Sequence, residues 1–181
     1  MSSPYLVPVA GILRNIPATM EVNFVAPFDA DHEFEPRGAG ESDIASEAEV
    51  AVAGRLESFS GGIRMRGVIR APWTGMCRRC SSAVEGILEI PVDERYTEKE
   101  GEDEEAYFFS DDTVDLSHLV HDAVFLELPI APLCREECQG LCTICGSDRN
   151  LSPCNCQTAV DLRWAMLSEL RFDDDTSAES N

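Results

Sequence analysis

The chain has 181 residues, of which 34 are acidic and 14 basic, so its formal net charge at pH 7 is -20. This charge argues against free, non-specific nucleic-acid binding, which depends on a basic surface that neutralises phosphates. It favours basic protein partners instead. The length suits one domain, or one domain with a small metal-bound appendage, and is sufficient to bury a core.

The chain shows no signal for membrane insertion. Residues 1–8 contain neither a basic segment nor a long apolar run, and no later stretch approaches the roughly 20 apolar residues that span a bilayer. We therefore predict a soluble cytoplasmic protein with no membrane partner. In a reducing cytosol, cysteine pairs separated by two residues are metal ligands or redox thiols more often than disulfides.

The first predicted elements in chain order are two short strands. Residues 5–9 and 20–25 carry the composition of strands, and apolar and polar positions alternate in part of the second. Residues 27–42 are rich in Asp, Glu, Gly and Pro, which is typical of a mobile loop. We expect no chemistry in that loop.

A clear β-hairpin signal begins at Ser46. Apolar residues alternate there with charged ones, as in a strand with one buried face, and Ser60-Gly61-Gly62 is typical of a tight turn. The return strand repeats the alternation. The predicted core positions of the two strands are Ala48, Val50, Val52, Leu56, Ile63, Met65, Ile69, Ala71 and Trp73.

The return strand places Arg64, Arg66 and Arg70 on its outer face. One interpretation is a small contact surface for RNA or another partner. The competing interpretation, which we favour, is that acidic residues on neighbouring strands neutralise these arginines in cross-strand pairs. The glutamates predicted on that outer face are Glu47, Glu49, Glu57, Glu85 and Glu89.

Cys77 and Cys80 follow the return strand, and another alternating strand, from Val84 to Val92, begins almost at once. The two cysteines are therefore predicted at the tip of a second hairpin. A rigid turn of this kind suits a zinc knuckle, because two thiolates two residues apart can point at one tetrahedral ion.

An acidic loop at about residues 97–106 is expected to be extended and disordered, because its like charges repel. Apolar residues then recur at helical spacing from Leu116 to Glu127, with Thr113 or Asp115 as the N-cap and proline at 129 and 132 after the helix.

His118 and His121 are three residues apart on this helix and could reach one metal ion. We favour a position for both beside the apolar stripe, on the polar side, since the eight cysteines supply enough ligands for two sites. Further on, residues 161–171 are predicted to form a short amphipathic helix anchored by Trp164.

The eight cysteines divide most simply into two groups of four, each around one Zn²⁺ ion. The first group would join the hairpin tip to the segment after the long helix, and the second would close a local knuckle. Two alternatives stay open: Cys77 and Cys80 could pair with Cys142 and Cys145, or a single ion could be bound with spare thiols. The preferred groups are Cys77, Cys80, Cys134 and Cys138, and Cys142, Cys145, Cys154 and Cys156.

A site of four thiolates leaves no open position for water or substrate, so it favours a structural metal over a catalytic one. Its net negative charge would be offset by arginines at 78, 79, 135 and 149, which lie within or beside the ligand loops. Neither C-x2-C pair lies in a thioredoxin-like βαβ context. The chain also lacks a phosphate-binding loop and a nucleophile elbow. We predict a protein that is not an enzyme and has no small-molecule substrate.

Together these patterns predict an α+β fold, an antiparallel β-sheet with few helices and a C-terminal cysteine-rich zinc-knuckle segment. Residues 1–133 would form the β-rich body with one long helix. Residues 134–172 would form the zinc-binding segment with the C-terminal helix, and residues 173–181 a disordered acidic tail.

Several motifs in this order resemble those of a known family. They are the C-x2-C hairpin, the helix ending in Leu128-Pro129-Ile130, Pro132-Leu-Cys-x3-Cys-x-Gly-Leu-Cys-x2-Cys-Gly, Asn150-Leu151, Cys-x-Cys and Asp161-Leu-Arg-Trp-Ala-Met-Leu. This arrangement, over roughly residues 46–172, is similar to the YceD family of bacterial large ribosomal RNA subunit accumulation proteins. The segment Ser147-Asp-Arg before Asn150 is longer than the family pattern suggests.

The resemblance implies a non-enzymatic factor for large ribosomal subunit biogenesis that supports accumulation or processing of 23S rRNA. Its partner would be a large-subunit precursor or a basic ribosomal protein, and the three outer-face arginines would supply any direct rRNA contact. Family members differ in how many of these cysteines they keep, which implies that metal stabilises the fold. The alternative hypothesis is a thiol-redox or metal-responsive regulatory protein.

Overall fold

The computed structural model describes residues 3–28, 38–98, 106–156 and 163. It divides into two compact units, Met1–Cys138 and Gln139–Asn181. The predicted C-terminal helix (except for Arg163), the acidic tail, residues 99–105 of the acidic loop and residues 29–37 lie outside the described residues. The predicted segment boundaries therefore stay predictions.

The first unit is built mainly from antiparallel β-structure, which confirms the predicted fold class. In the larger sheet the order is β2-β5-β6-β4-β3, with β7 pairing β6 and β8, while β1 pairs β9 in a separate ribbon. The β7–β8 contact is parallel. The elements are β1 Leu6–Pro8, α1 Ala10–Leu13, β2 Thr19–Pro27, β3 Gly38–Ala39, β4 Ser42–Asp43, β5 Glu49–Phe59, β6 Gly62–Met76, β7 Ala83–Thr97, β8 Tyr107–Phe108, β9 Thr113–Asp115 and α2 Ser117–Glu127.

The long β6–β7 hairpin positions the first cysteine pair. Its register runs without a break from Gly62 opposite Thr97 to Met76 opposite Ala83. The turn after Met76 contains Cys77 and Cys80, so the prediction of a C-x2-C hairpin tip is confirmed.

The inner face of this sheet forms the core of the first unit. Most of the residues predicted to face inward on β5 and β6 are buried, while Ala48 and Trp73 are partly buried. Helix α2 packs into the same core through Leu119, Val120 and Val124. The outer face, which carries the arginines, is left accessible.

The structure corrects three details of the predicted elements. The N-cap of helix α2 is Leu116, and not Thr113 or Asp115 as predicted, because Thr113–Asp115 is held extended as β9 against β1. Asp115 still supports the helix start, since its Oδ1 accepts a hydrogen bond from the Ser117 amide at 2.9 Å. The short helix α1 was not predicted.

The third correction concerns the loop predicted at residues 27–42, part of which is ordered into the sheet. Strand β4 pairs with β6, so that Ser42 lies opposite Gly75. The buried Ser42 hydroxyl donates to the Pro129 carbonyl. These bonds hold the chain after α2 against the end of β6 that leads into the cysteine turn.

Candidate metal centres

The structure brings Cys77, Cys80, Cys134 and Cys138 together, with their sulfur atoms within 4.8 Å of one another. The Cys77 and Cys138 sulfurs are 3.8 Å apart, and those of Cys80 and Cys134 are 3.6 Å apart. Four thiolates at the usual Zn–S distance around a tetrahedral ion are about 3.8 Å from each other. The group therefore has the spacing of a four-thiolate zinc site.

Backbone hydrogen bonds assemble this first group from two distant parts of the chain. The Arg78 amide donates to the Pro132 carbonyl at 3.0 Å, and the Glu41 amide donates to the Ile130 carbonyl at 3.1 Å. The segment after α2 is thereby held beside the hairpin tip. Three of the four cysteines are buried, and Cys134 is exposed.

The turn at Cys77 has a specific hydrogen-bond pattern. The Cys77 amide donates to the Ser82 carbonyl at 2.8 Å, and the Ser81 amide donates to the Cys77 carbonyl at 2.8 Å. Ser81 adopts a positive φ of 57°. Both cysteine side chains of this turn consequently lie beside those of Cys134 and Cys138.

The second group, formed by Cys142, Cys145, Cys154 and Cys156, repeats this turn within the second unit. The Cys142 amide donates to the Ser147 carbonyl at 2.8 Å, and the Gly146 amide donates to the Cys142 carbonyl at 2.9 Å. Gly146 has a φ of 72°, in the left-handed region that favours glycine. The four sulfur atoms again lie within 4.8 Å of one another.

The longer segment that precedes Asn150 is part of this second group's framework. The Asn150 side chain accepts a hydrogen bond from the Gln139 amide at 2.8 Å. The same residue donates from its backbone to Asp148 Oδ1 at 2.8 Å. The Arg149 amide donates to the Gly140 carbonyl at 3.0 Å. The sequence analysis missed these roles of Asp148 and Asn150, although Asp and Asn at such spacing are typical of side-chain-stabilised turns.

The two groups differ in their exposure to solvent. In the second group only Cys142 is buried, Cys154 is intermediate, and Cys145 and Cys156 are exposed. In the first group only Cys134 is exposed. Two sites with the same ligand type thus have unequal protection from water.

Within each group the surroundings lower the pKa of one thiol and raise the pKa of another. Hydrogen bonding from the backbone at Cys134 lowers the pKa of Cys77 to about 6. Desolvation of the Cys134 sulfur, and then its hydrogen bonds with Cys138 and Cys80, raise the pKa of Cys134 to about 11, although the residue as a whole is exposed. In the second group, hydrogen bonding from Ser147 lowers the pKa of Cys145 to about 6, and sharing of a proton with Cys145 raises the pKa of Cys156 to about 12. A divalent ion would replace the protons that these thiols share.

Arg79 contacts the loop that supplies the third and fourth cysteines of the first group. Its Nη1 donates to the carbonyl of Glu136 at 3.2 Å and to that of Cys138 at 3.0 Å. The side chains of Arg78 and Arg135 are exposed. Arg79 therefore positions the ligand loop. That all four arginines compensate the negative charge of the thiolates stays a prediction.

The two helix histidines belong to neither cysteine group. His118 is exposed, and His121 stacks between Phe28 and Phe125, with ring centroids 5.9 and 6.0 Å away. The structure thus places His121 against aromatic side chains, and the interpretation that the histidines are not ligands stays a prediction.

The outer-face arginines are paired with acidic residues, as the favoured interpretation predicted. Arg64 Nη2 donates to Asp93 at 2.7 Å, Arg66 Nε donates to Asp93 at 3.2 Å, and Arg70 Nε donates to Glu89 at 2.8 Å. Asp93 pairs with two of the three arginines, whereas the acidic partners predicted from the sequence were all glutamates. Its pKa is lowered to about 2 by the Arg64 hydrogen bonds and then by Arg66.

The described residues form a mainly antiparallel β-sheet with few helices, and eight cysteines form two groups of four. The protein therefore belongs to the class of β-rich proteins with candidate metal-binding knuckles. No helix in the described part of the chain is long and apolar enough to cross a membrane. Residues 65–171 match the family model described as "Large ribosomal RNA subunit accumulation protein YceD". The chain therefore belongs to the YceD family, which confirms the resemblance found in the sequence.

The curated relatives are longer than the region they share with this chain. An uncharacterized protein of Mycobacterium tuberculosis is 38% identical over 122 residues, covering 64% of this chain and 59% of its own length. One from Mycobacterium leprae is 33% identical over 122 residues, covering 64% and 56%.

A more distant relative carries a functional name. The Arabidopsis thaliana protein named chloroplastic large ribosomal RNA subunit accumulation protein YCED homolog 1 is 29% identical over 142 residues, covering 60% of this chain and 44% of its own length. No solved structure matches the chain.

Proposed function

We propose that this protein is a non-enzymatic factor for large ribosomal subunit biogenesis that supports accumulation or processing of 23S rRNA in the cytoplasm. The observation that carries the proposal is the match of residues 65–171 to the YceD family model. The name of the Arabidopsis relative points to the same process.

The favoured partner is a basic ribosomal protein, free or within a large-subunit precursor. The net charge of -20 attracts a basic surface at long range. The pairing of Arg64, Arg66 and Arg70 with acidic neighbours makes a broad phosphate-binding face at these residues less favourable. Acidic residues elsewhere on the protein would therefore supply most of the attraction to that partner.

Each cysteine group would bind one structural Zn²⁺ ion. The residues present fit that ion, because sulfur separations of 3.6 and 3.8 Å in the first group agree with tetrahedral thiolate coordination. Metal in the first group would join the hairpin tip to the segment after α2. In the second group it would hold the turn at Cys142 to the Cys154-x-Cys156 segment.

The biological proposal can be tested by depleting the protein in its host and measuring 23S rRNA relative to 16S rRNA. We expect mature 23S rRNA to fall and to recover when the intact gene is restored. An unchanged ratio under complete depletion would contradict the proposed process.

The partner proposal needs a separate binding measurement. The metal-loaded protein can be immobilised and mixed with proteins extracted from the large subunit over a range of salt concentrations. We expect retention of one or a few basic proteins and a steep decrease with salt, since exposed charges are screened over about 10 Å at 0.1 M salt. Salt-insensitive retention would contradict an electrostatic contact.

A second candidate function, a thiol-redox or metal-responsive regulator, is favoured by the exposure of Cys145 and Cys156. It is tested by the rate at which a thiol reagent labels the metal-loaded protein. Rapid labelling and metal release, with a change in partner binding, would support regulation. Slow labelling with unchanged binding would support a purely structural role.

A further inference from the structure

Strand β2 forms one edge of the larger sheet. Within the described part of the chain it pairs with β5 alone. The pairing runs without a bulge over nine residues, from Thr19 opposite Glu57 to Pro27 opposite Glu49. All of these residues belong to the first unit, and none belongs to a cysteine group.

The hydrogen bonds at the two ends of β2 show which of its backbone groups face away from β5. The Ser58 amide donates to the Ala18 carbonyl at 2.9 Å. The Phe28 amide donates to the Ala48 carbonyl at 2.8 Å. Because hydrogen-bonded positions alternate along an antiparallel strand, the even-numbered residues of β2 bond to β5. The backbone groups that point to the open edge, with no hydrogen-bond partner among the described residues, are those of Thr19, Glu21, Asn23 and Val25.

The Pro27 carbonyl marks the end of this open stretch. It accepts a hydrogen bond from the Tyr5 hydroxyl at 2.8 Å. The Tyr5 ring packs edge-on against Phe24, with ring centroids 5.6 Å apart. The open part of the edge therefore runs from residue 19 to residue 25.

This open stretch lacks the features that usually protect an edge strand. Protected edges are short, bulged, or interrupted by proline or by several charged side chains. Residues 19–25 contain one charged residue, Glu21, and neither a proline nor a bulge. Val25 is 59% exposed. Such an edge is able to accept a strand from another chain.

The charge beside the edge favours a cationic partner. Glu21 is exposed and lies opposite Arg55, but Arg55 Nε pairs with Glu57 at 2.7 Å. Glu21 has no ion pair among the described residues, and β2 contains no basic residue. The chain as a whole carries a net charge of -20, which attracts basic segments at long range.

The inner face of β2 favours apolar side chains in an added strand. Met20 and Phe24 lie on that face and are only partly buried against the core. Apolar side chains of a neighbouring strand would lie beside them on the same face. The edge therefore suits a segment with basic residues on one face and apolar residues on the other.

We propose that the open edge of β2 binds an extended segment of a basic protein, which adds to the sheet as a further strand. Backbone hydrogen bonds to residues 19–25 would hold the segment, and its basic side chains would lie beside Glu21. The inference rests on the proposed contact with a basic ribosomal protein and assigns that contact a surface. A second copy of this chain is a less favourable occupant, because each copy carries a net charge of -20.

The direct test is calorimetric titration of the metal-loaded, full-length protein with a nine-residue peptide of alternating lysine and valine. The matched control is the same peptide methylated on the backbone nitrogens of its lysines. Residues that bond directly across an antiparallel pair share a face, so these nitrogens are the ones that would bond to β2 beside Glu21. We expect the methylated peptide, whose charge is unchanged, to bind at least tenfold more weakly. Equal binding of the two peptides would overturn the proposal, as would the absence of binding by the unmethylated one.

A substitution at Asn23 tests the same hydrogen bonds from the side of the protein. Asn23→Pro removes an N–H that faces the open edge but no bond to β5, and proline is tolerated at such edge positions. It should weaken peptide binding about tenfold. Asn23→Thr is the matched control, because it keeps the N–H and suits a strand. Circular dichroism shows whether Asn23→Pro folds; if it does not, the methylated peptide still decides the question.

The contribution of charge is tested at Glu21. Glu21→Gln should weaken peptide binding about twofold to fivefold at low salt, as expected for an exposed ion pair. Glu85→Gln is the matched control, because Glu85 is an equally exposed carboxylate on β7, which β5 and β6 separate from β2. Equal effects of the two substitutions would contradict a contact at Glu21.

Retention of large-subunit proteins by the same variants separates this inference from the proposed function. Retention by the wild type and Asn23→Thr, but not by Asn23→Pro, would support the β2 edge. Equal retention by all three would overturn the edge while leaving the proposed partner in place. Retention by none would contradict the proposed partner, and the peptide titration would then decide the edge alone. A wild type that dimerises in sedimentation equilibrium, and becomes monomeric as Asn23→Pro, would overturn the proposal in favour of a second copy.

Discussion

The side-chain oxygen of Ser82 lies 3.0 Å from the sulfur of Cys80. Ser147 lies at the same distance from the sulfur of Cys145 in the second group. Hydrogen bonds to a thiolate stabilise its charged form, which is the form that binds metal. The two C-x2-C turns therefore share a serine contact as well as a backbone pattern, and each lies in a group of cysteines that could hold a metal ion.

We predict two zinc ions per chain when the protein is purified under reducing conditions. Cys77→Ser should lose the ion of the first group, and Cys154→Ser should lose that of the second, so each variant should contain about one ion. Elemental analysis of metal and sulfur provides the measurement. Ser152→Ala is a control outside both cysteine groups, and a metal-free wild type would contradict the assignment.

The second group should release its metal first. Cys145 and Cys156 are exposed, whereas most of the first group is buried, so a chelator reaches the second group more easily. Timed release to a colorimetric chelator should show a fast and a slow phase of equal amplitude. Cys154→Ser should remove the fast phase and Cys77→Ser the slow one; two phases with the opposite assignment would disprove the predicted order.

A side chain at Gly54 should destabilise the sheet. Gly54 lies opposite Gly67 on β6, and a Cβ atom at position 54 would lie 2.7 Å from the Gly67 Cα atom. We expect Gly54→Ala to lower the free energy of unfolding by about 1–3 kcal/mol, as overpacked substitutions do. Urea unfolding followed by circular dichroism is the measurement.

The control for that experiment is Gly11→Ala in α1. A Cβ atom at Gly11 would have no neighbour within 4 Å among the described residues, and alanine is the better helix former. Its unfolding midpoint should be unchanged or slightly higher. Equal destabilisation by both substitutions would show that the close approach of β5 and β6 is not the cause.

The Asp93 contacts should make stability depend on pH in the acid range. The pKa of Asp93 is lowered from 3.8 to about 2, first by the Arg64 hydrogen bonds. Because the folded pKa lies below the unfolded one, the stabilisation is fully present above about pH 4 and is lost as the pH falls through about 2. Asp93 is well exposed, which limits the size of the effect.

The measurement is the difference in unfolding free energy between the wild type and Asp93→Asn over this pH range. We expect a constant difference above about pH 4 that shrinks as the pH approaches 2, and a smaller one at high salt. A difference that grows on acidification would have the wrong sign for an ion pair with Arg64.

Much of the fold could be predicted from residues close together in the chain. Alternating apolar residues identified β5, β6 and β7, because a strand with one buried face needs that period. The spacing of Cys77 and Cys80 between two such strands placed them in a turn. The outward position of Arg64 followed from the same alternation.

Features that depend on distant residues were predicted less completely. The sequence did not indicate that Asp93 would lie beside both Arg64 and Arg66, because the β6–β7 register decides that contact. Strands β3 and β4 also went unpredicted, since two-residue strands have no measurable period. Strand β4 forms where it pairs with β6, and β3 pairs in turn with β4.

The sequence by itself determined the two knuckles, because each depends on a C-x2-C turn and a serine within six consecutive residues. Only the tertiary structure decided between the preferred grouping of the cysteines and the alternatives that the sequence left open. Cys80 and Cys134 are 54 positions apart and come within 3.6 Å because backbone hydrogen bonds hold the segment after α2 at the hairpin tip.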